Sequence, residues 1–438
     1  MSSQRQTARA LSLSFLLAIS GVAAAANPGD GLQTQGLQAT AELPEEVTLA
    51  AVVALLRDQS PRSRAEQARI AVAEGERLGA GVWQNPSLSY GGVALAQGTN
   101  TGSAWQHQFT LEQPLLIFGQ TSARSSAAEL GVRAERAQVA ADLGERALAA
   151  RQGFYTLVAR QERVKALQES LTELQGLEKI VRGRQAAGDR SVYDVTRLAL
   201  ETSTLDTELS IARTEVADAS GRLAAVLGFP GWHPRAQGEL GARELPTDFD
   251  QLWSVAQRQR PSIAAAQAAE SRARAGLTVA RRDWLPVPSL ALGTLVTRDA
   301  NSVAVTFGAS VPLPVFDHGQ GPVARASADI DLQSRRVAAE LAETRAELER
   351  ARAVYLAERD TVAKIEHDQV AQIPVLERMA QQSYQGGGTS VLELLDAFRS
   401  VKEIRVTYLE RQEALKLAEE TLIASAGLEP LLTVDSKK

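Results

Sequence analysis

Four histidines and no cysteine set a narrow limit on the bond chemistry open to this 438-residue chain. His107, His233, His318 and His367 are scattered, and none recurs at the short spacing that would turn two imidazoles toward one ion. Without cysteine there is no disulfide, no thiolate zinc site, no thiol nucleophile and no acylated N-terminal Cys. Ser, His and an acid never combine in a nucleophile motif, and no Gly-rich loop follows a strand to cradle phosphate. Hydrolase and NTPase readings fail for lack of parts, so no enzyme activity, cofactor or metal centre is expected. What stands out instead is a set of acids behind Gly-bearing turns. Asp194 follows Ala187-Gly188-Asp189-Arg190-Ser191, and Glu393 and Asp396 follow Gly386-Gly387-Gly388-Thr389-Ser390. Acids at a helix start are favourable in the field of the N-terminal dipole, and that alone accounts for their presence.

The elements that carry these acids are written twice. Ser60-Pro61, Trp83, Pro86-Ser87-Leu88, Pro114, Phe118, Gly119-Gln120, Ser191-Val192, Asp194 and Gly228 recur in order as Arg260-Pro261, Trp284, Pro288-Ser289-Leu290, Pro312, Phe316, Gly319-Gln320, Ser390-Val391, Glu393 and Gly427. An offset that stays near roughly 200 residues marks duplication of one large unit. The first repeat spans 48–228, with helices over 48–82, a β-hairpin over 85–118 and a long helical hairpin over 120–228. The second spans 261–428, with a helix over 261–284, a hairpin over 287–316 and a helical hairpin over 320–427. Residues 229–260, rich in Pro, Gly and Trp, read as a connector with a short lateral helix near Phe249, Leu252 and Trp253.

Composition agrees with elongation. The long segments are rich in Ala, Leu, Glu, Arg and Gln, and aromatics make up only 5%. One helix is expected from Gln120 to about Ala187 and another from about Pro322 to Gln385. At 1.5 Å per residue each would be on the order of 100 Å long. A net charge of -5 without a basic cluster argues against nucleic acid as a partner. Arg5, Arg9, an apolar run from Leu11 to Val22 and Ala24-Ala25-Ala26 read as a signal peptide over 1–26; the run is short for a spanning anchor. Residues 27–47 read as a flexible leader, and 429–438 as a C-terminal tail.

Within each hairpin the period changes to two. Trp105, His107, Phe109 and Leu111 alternate with Gln106, Gln108, Thr110 and Glu112, while Val303, Val305, Phe307 and Ala309 alternate with Ala304, Thr306, Gly308 and Ser310. Leu88 and Tyr90, and Leu290, Leu292 and Val296, lead into turns at 98–102 and 298–301. Strands of this length, apolar on one face and polar or small on the other, suit an outer-membrane barrel. Four cannot close one, because an open edge in hydrocarbon leaves backbone groups unpaired and known barrels have at least about eight strands. Subunits must then pool their strands. The alternative is a two-hairpin sheet packed on helices in a soluble periplasmic protein. Trp83, Trp105 and Trp284 flank the strands, where bilayer interfaces and core packing explain them about equally.

The chain resembles the TolC-type outer-membrane efflux proteins over about residues 48–428. The matching residues are Asn85-Pro86-Ser87-Leu88, Gln113-Pro114-Leu115 with Phe118-Gly119, Gly188 with Ser191, Asp194 and Val195, Val311-Pro312-Leu313-Pro314-Val315-Phe316 with Gly319-Gln320-Gly321, and Gly387 with Glu393, Leu394 and Asp396. Pro-Leu-Pro-Val-Phe-Asp-His-Gly-Gln-Gly is similar to the branch serving heavy-metal efflux of the cobalt-zinc-cadmium type. The resemblance implies a mostly α fold with a small membrane β part: a homotrimer closing one twelve-stranded β-barrel amid outer-membrane lipid, continued by a periplasmic α-barrel of twelve helices. It implies a passive exit duct reached through a periplasmic adaptor and energised by a proton-driven inner-membrane pump, with divalent metal cations as the cargo of that branch. A periplasmic coiled-coil adaptor or structural envelope protein is the alternative. By residue match Glu393, Asp396 and Asp194 fall at the periplasmic constriction, where a trimer would make rings of carboxylates, and Tyr384 falls at a position that helps tie the closed state. Gly188, Asp189, Arg190 and Ser191, with Gly387, Gly388, Thr389 and Ser390, fall at tips that meet the adaptor; simple turn chemistry explains their types equally well. A departure is Thr389, where the best-known members carry a basic residue.

Overall fold

Alternation with period two builds one four-stranded antiparallel sheet from the two hairpins, in the order β2-β3-β5-β6. The strands are β2 (Ser87–Ala94), β3 (Trp105–Pro114), β5 (Ser289–Thr297) and β6 (Val303–Ser310). The computed structural model describes residues 43–94, 96–97, 105–186, 191–297, 303–385 and 390–428. The expected signal peptide, nearly all of the leader, both hairpin turns, the tip residues Gly188, Asp189, Arg190, Gly387, Gly388 and Thr389, and the C-terminal tail lie outside the described residues.

Register decides what each face of the sheet presents. Leu88 pairs with Leu111, which pairs with Leu292, which pairs with Phe307. Tyr90, Phe109, Thr294 and Val305 form the next row. One face is therefore apolar across all four strands, and it is open: Leu88, Tyr90, Phe109, Leu292 and Val305 are exposed, and Phe307 is 89% accessible. The opposite face carries Ser89, Gln108, Thr110, Glu112, Ser289, Thr306 and Ser310, with the Ser289 hydroxyl bonded to Glu112 and lying 2.7 Å from the Ser310 hydroxyl.

Helices lead into this sheet and away from it. α1 (Leu49–Asp58) is capped by Thr48, whose hydroxyl accepts from Ala51 N, and α2 (Pro61–Ala80) starts on a proline suited to a first turn. α3 (Gln120–Ala186) is one continuous helix of 67 residues, about 100 Å long at 1.5 Å per residue. α4 (Val192–Leu227) returns alongside it and ends at Gly228 with φ 82°. In the second repeat, α6 (Pro261–Asp283) leads to the hairpin, α7 (Gln320–Asp368) leaves it, and α8 (Ile373–Gln385) and α9 (Val391–Ala426) complete the helical hairpin. α9 ends at Gly427 with φ 66°. Local devices repeat with the elements. Gly119 and Gly319 have φ of 76° and 77°, and the carboxamides of Gln120 and Gln320 accept from the backbone N–H of Phe118 and His318 at 3.1 and 3.0 Å.

Two expectations need correction. The helix expected from Pro322 to Gln385 is interrupted by a 3-10 turn at Val370–Gln372. Pro374 explains it, since its ring lacks an N–H and would clash with the carbonyl four residues back. Glu46–Val47, read as the end of a flexible leader, form β1, paired in parallel with β4 (Arg235–Ala236) of the connector. Val47 is buried, so an apolar side chain tethers this end of the leader.

The connector is anchored by α5 (Phe249–Gln259), which Asp248 caps by accepting from Gln251 N at 2.8 Å. Leu252 and Ala256 pack with Leu348, Tyr355, Leu422 and Ile423 in a core joining α5, α7 and α9.

Candidate functional site

Toward the turns between the paired long helices, a second core gathers Leu167, Leu171, Leu174 and Val181 from α3, Leu198, Leu205 and Leu209 from α4, Tyr384 from α8, and Val391, Leu394 and Leu395 from α9. This apolar cluster fixes the residues expected to act there. Tyr384 is 3% exposed. The Arg184 guanidinium lies 4.9 Å from its ring centroid and donates to its carbonyl at 3.5 Å, so the ends of α3 and α8 are tied by cation–π contact and hydrogen bond. Beside them is a groove of about 630 Å³ lined by Leu177, Ile180, Arg184, Glu377, Tyr384 and Phe398.

The acids occupy different settings. Glu393 is exposed at the start of α9 and closes a capping box: its carboxylate accepts from Ser390 N at 2.9 Å while the Ser390 hydroxyl accepts from Glu393 N at 3.3 Å. Asp396, one turn on, is exposed and its side chain is not part of that cap. Asp194 is half-buried in the first turn of α4, where the Ser191 hydroxyl accepts from Tyr193 N at 3.1 Å. The structure thus brings Tyr384 into contact with Arg184 and Glu393 with Ser390, and sets Asp396 on the same helix as Glu393.

Ion pairs that sequence reading missed stitch these helices. Arg399 on α9 grips Glu201 on α4 through two of its guanidinium nitrogens, Nε and Nη2, with Nε to Oε1 at 2.8 Å. Lys402 binds both oxygens of Glu208 at 2.9 and 3.1 Å. Arg405 reaches Glu377 on α8 at 2.6 Å and Glu173 on α3 at 3.8 Å. The hydrogen bond from Arg399 holds the Glu201 carboxyl below its ordinary range, whereas burial pushes Glu173 up.

A third cluster lies by the connector. Arg243 donates from its backbone to Glu419 at 2.9 Å, and from its side chain to Glu419 at 3.0 Å and Glu420 at 3.2 Å. Lys416 Nζ donates to Glu419 at 2.8 Å and sits 4.7 Å from the centre of the Tyr155 ring. Arg151 approaches Glu420 at 3.5 Å. Burial raises Glu420 above the ordinary carboxylate range and, with Glu420 nearby, pushes Tyr155 up to about 12. A signal existed: Lys416, Glu419, Glu420 and Ile423 fall at the spacing of a buried helical stripe.

Among the described residues no group of three His, Asp or Glu side chains could hold a metal ion, and no helix is long and apolar enough to cross a membrane. Nothing here resembles a catalytic constellation; the chain offers a greasy sheet, long helices and a pinned end. Comparison with known proteins shows what such a combination is. The sequence profile of the family described as outer membrane efflux protein matches residues 252–428. The second repeat and the end of the connector resemble outer membrane efflux proteins. Among its relatives, the cobalt-zinc-cadmium resistance protein CzcC of Cupriavidus metallidurans is 26% identical over 366 residues, which cover 83% of this chain and 86% of that protein. The cation efflux system protein CusC of Escherichia coli is 25% identical over 291 residues, 63% of this chain and 62% of that protein. The efflux fold extends over both repeats. A CusC crystal structure superposes with a TM-score of 0.70 at 20% identity, covering 86% of this chain and 91% of that one. The Campylobacter jejuni CmeC outer membrane channel gives 0.72 at 15%, covering 89% of each. These likenesses make the protein a transport conduit rather than an enzyme, located in the outer membrane with a periplasmic extension.

Proposed function

We infer that the protein is the passive outer-membrane duct of a tripartite efflux system, working as a trimer whose chains each contribute four strands to one barrel. The observation that carries this is the sheet. Its apolar face is continuous from Leu88 to Phe307, its other face is polar or small apart from Val93 and Leu295, and β2 and β6 each have one edge without a strand partner among the described residues. In hydrocarbon such edges cost several kcal/mol per unpaired backbone group, so the sheet is compatible with a membrane only when other copies complete it. The helices continue the wall as a tunnel, and substrates enter from an inner-membrane pump through a periplasmic adaptor that meets the turns after α3 and α8. The resemblance in sequence to proteins named for cobalt-zinc-cadmium resistance and cation efflux supports divalent metal cations as cargo.

The periplasmic end is the constriction. In a trimer Asp396 forms a ring of three exposed carboxylates, which favours cations. Glu393 contributes a second ring while its cap bond orients it, with Asp194 in the corresponding place on α4. Tyr384, clamped by Arg184, holds α8 against α3 in the closed state. The overall reading is tested by fractionating cells that express the protein. A duct is found as a heat-resistant oligomer in outer-membrane fractions, whereas a monomer released by osmotic shock would identify a periplasmic adaptor instead.

A further inference from the structure

Oxygen donors line the polar face of the sheet at the strand ends that join the helices. Ser87 of β2 opposes Glu112 of β3, and Ser289 of β5 opposes Ser310 of β6. The duplication makes Ser87 the counterpart of Ser289 and Glu112 the counterpart of Ser310, so the repeats differ here by one carboxylate in place of a hydroxyl. The Ser289 hydroxyl links the two hairpins, donating to Glu112 Oε1 and lying 2.7 Å from the Ser310 hydroxyl. Glu112 is the only Asp, Glu, Lys or Arg on these four strands. Among the described residues no Lys, Arg or His pairs with it, in a chain whose other carboxylates are widely stitched to arginines. The bond to Ser289 does not require that charge, since a carboxamide oxygen accepts as well.

On this basis, which rests on the shared-barrel reading above, we propose that Ser87, Glu112, Ser289 and Ser310 form an oxygen collar at the periplasmic mouth of the barrel, in which Glu112 selects passing divalent cations over anions. Three chains place three such carboxylates around the lumen, each flanked by its own hydroxyls, at the other end of α3 from the constriction. Acidic side chains in a pore favour cations, and lumen-facing residues of outer-membrane barrels tune selectivity. The donor set also limits how tightly a metal is held. Carboxylate and hydroxyl oxygens suit hard, hydrated cations, whereas imidazole and thiolate, which hold zinc or copper firmly, are missing from this face among the described residues. One carboxylate per chain detains an ion briefly and lets it leave, as conduction requires.

Distance decides how far this charge reaches. The screening length is about 10 Å in 0.1 M salt and about 30 Å in 0.01 M, so the collar acts along the wall in ordinary salt and across the lumen only in dilute salt. Ser89, on the same face, opposes Thr110, two residues from Glu112. Diagonal neighbours on one face of an antiparallel pair lie about 7–8 Å apart. At that separation in water, one unit charge raises the local concentration of a monovalent cation about threefold and lowers that of an anion about as much.

The absence of native cysteine lets Ser89→Cys report the charge beside the collar, with Thr110→Cys as a second reporter should the first not assemble. In the detergent-extracted oligomer, rates of reaction are measured with a cationic and an anionic methanethiosulfonate reagent. In about 30 mM NaCl the cation-to-anion rate ratio is expected to be about three- to tenfold higher with Glu112 than with Glu112→Gln, and Glu112→Asp should restore it. Replacing that salt with about 10 mM CaCl2, equal in ionic strength, should lower the ratio at least about twofold with Glu112 and leave the Gln variant unmoved. A ratio indifferent to Glu112→Gln overturns the proposal, as does an equal effect of calcium on both. Leu88→Cys, on the apolar face, should react with neither reagent. If it reacts while both polar-face reporters do not, the shared-barrel reading itself fails instead.

Discussion

The guanidinium of Arg399 on α9 clasps the carboxylate of Glu201 on α4, joining the return helices of the two repeats one turn along α9 and two along α4 from the pair Lys402–Glu208. Glu201 is largely buried on α4 while Arg399 is about half exposed, so the pair is only partly screened by water. Arg399→Ala is expected to cost about 0.2–1 kcal/mol of local stability and to raise leak conductance in planar bilayers, by loosening α9 from α4, which Lys402 still ties through Glu208. The charge-swapped double variant, Glu201→Arg with Arg399→Glu, should restore the wild-type current.

The same pair sets an acid limb. The folded Glu201 carboxyl titrates below the ordinary glutamate range, so its contribution is fully present above that range and lost as pH falls through the lowered value. Thermal melts between pH 6 and pH 3 should show a shallower acid loss in Arg399→Ala than in wild type.

Glu420 has the opposite sign. Burial holds its folded pKa above the ordinary value, so its contribution is present at low pH and lost as pH rises from the ordinary glutamate range through the raised value. Arg243 is one of three cations that oppose this, with Arg151 and Lys416. Arg243→Ala should destabilise by less than the about 3–5 kcal/mol expected when a buried pair loses one member, because Arg243 is itself partly exposed to water and the other two cations remain. Melting temperature should fall more at pH 8 than at pH 5.

The duplication, the two hairpins and the long helices were legible because each rests on periodicity and turn chemistry, which are local. Phe109 and Phe307 could be placed on the apolar face by alternation alone. The ion pairs were not legible: Arg399 and Glu201 are distant in sequence, and nothing in either neighbourhood names the other. The helix break was written in Pro374, but the long helical pattern on either side of it masked the signal. Glu393 shows the remaining difficulty, since one carboxylate can both cap a helix and face a passage, and sequence pattern describes only the cap.

These two roles of Glu393 can be separated. Glu393→Ala should lose about 0.3–1 kcal/mol by removing the acid from the first turn of α9 and also alter cation block of the current. Asp396→Asn, which removes charge outside the cap, should change cation block with the melting temperature unmoved. An unchanged current in both variants would remove the acidic ring.

At the junction of β6 and α7, Gly319 has φ 77°, and a Cβ there would lie 2.6 Å from Trp284 Cβ. Gly319→Ala is expected to cost about 1–3 kcal/mol from backbone strain alone, with the steric clash added. The check is the temperature at which the oligomer dissociates, which should drop.

The central claim is that one chain cannot seal its own sheet. The most direct measurement is the mass of the intact particle after gentle detergent extraction from the outer membrane. Three polypeptides per particle are predicted; a stable single polypeptide, with its apolar face already covered by its own residues, would contradict the account.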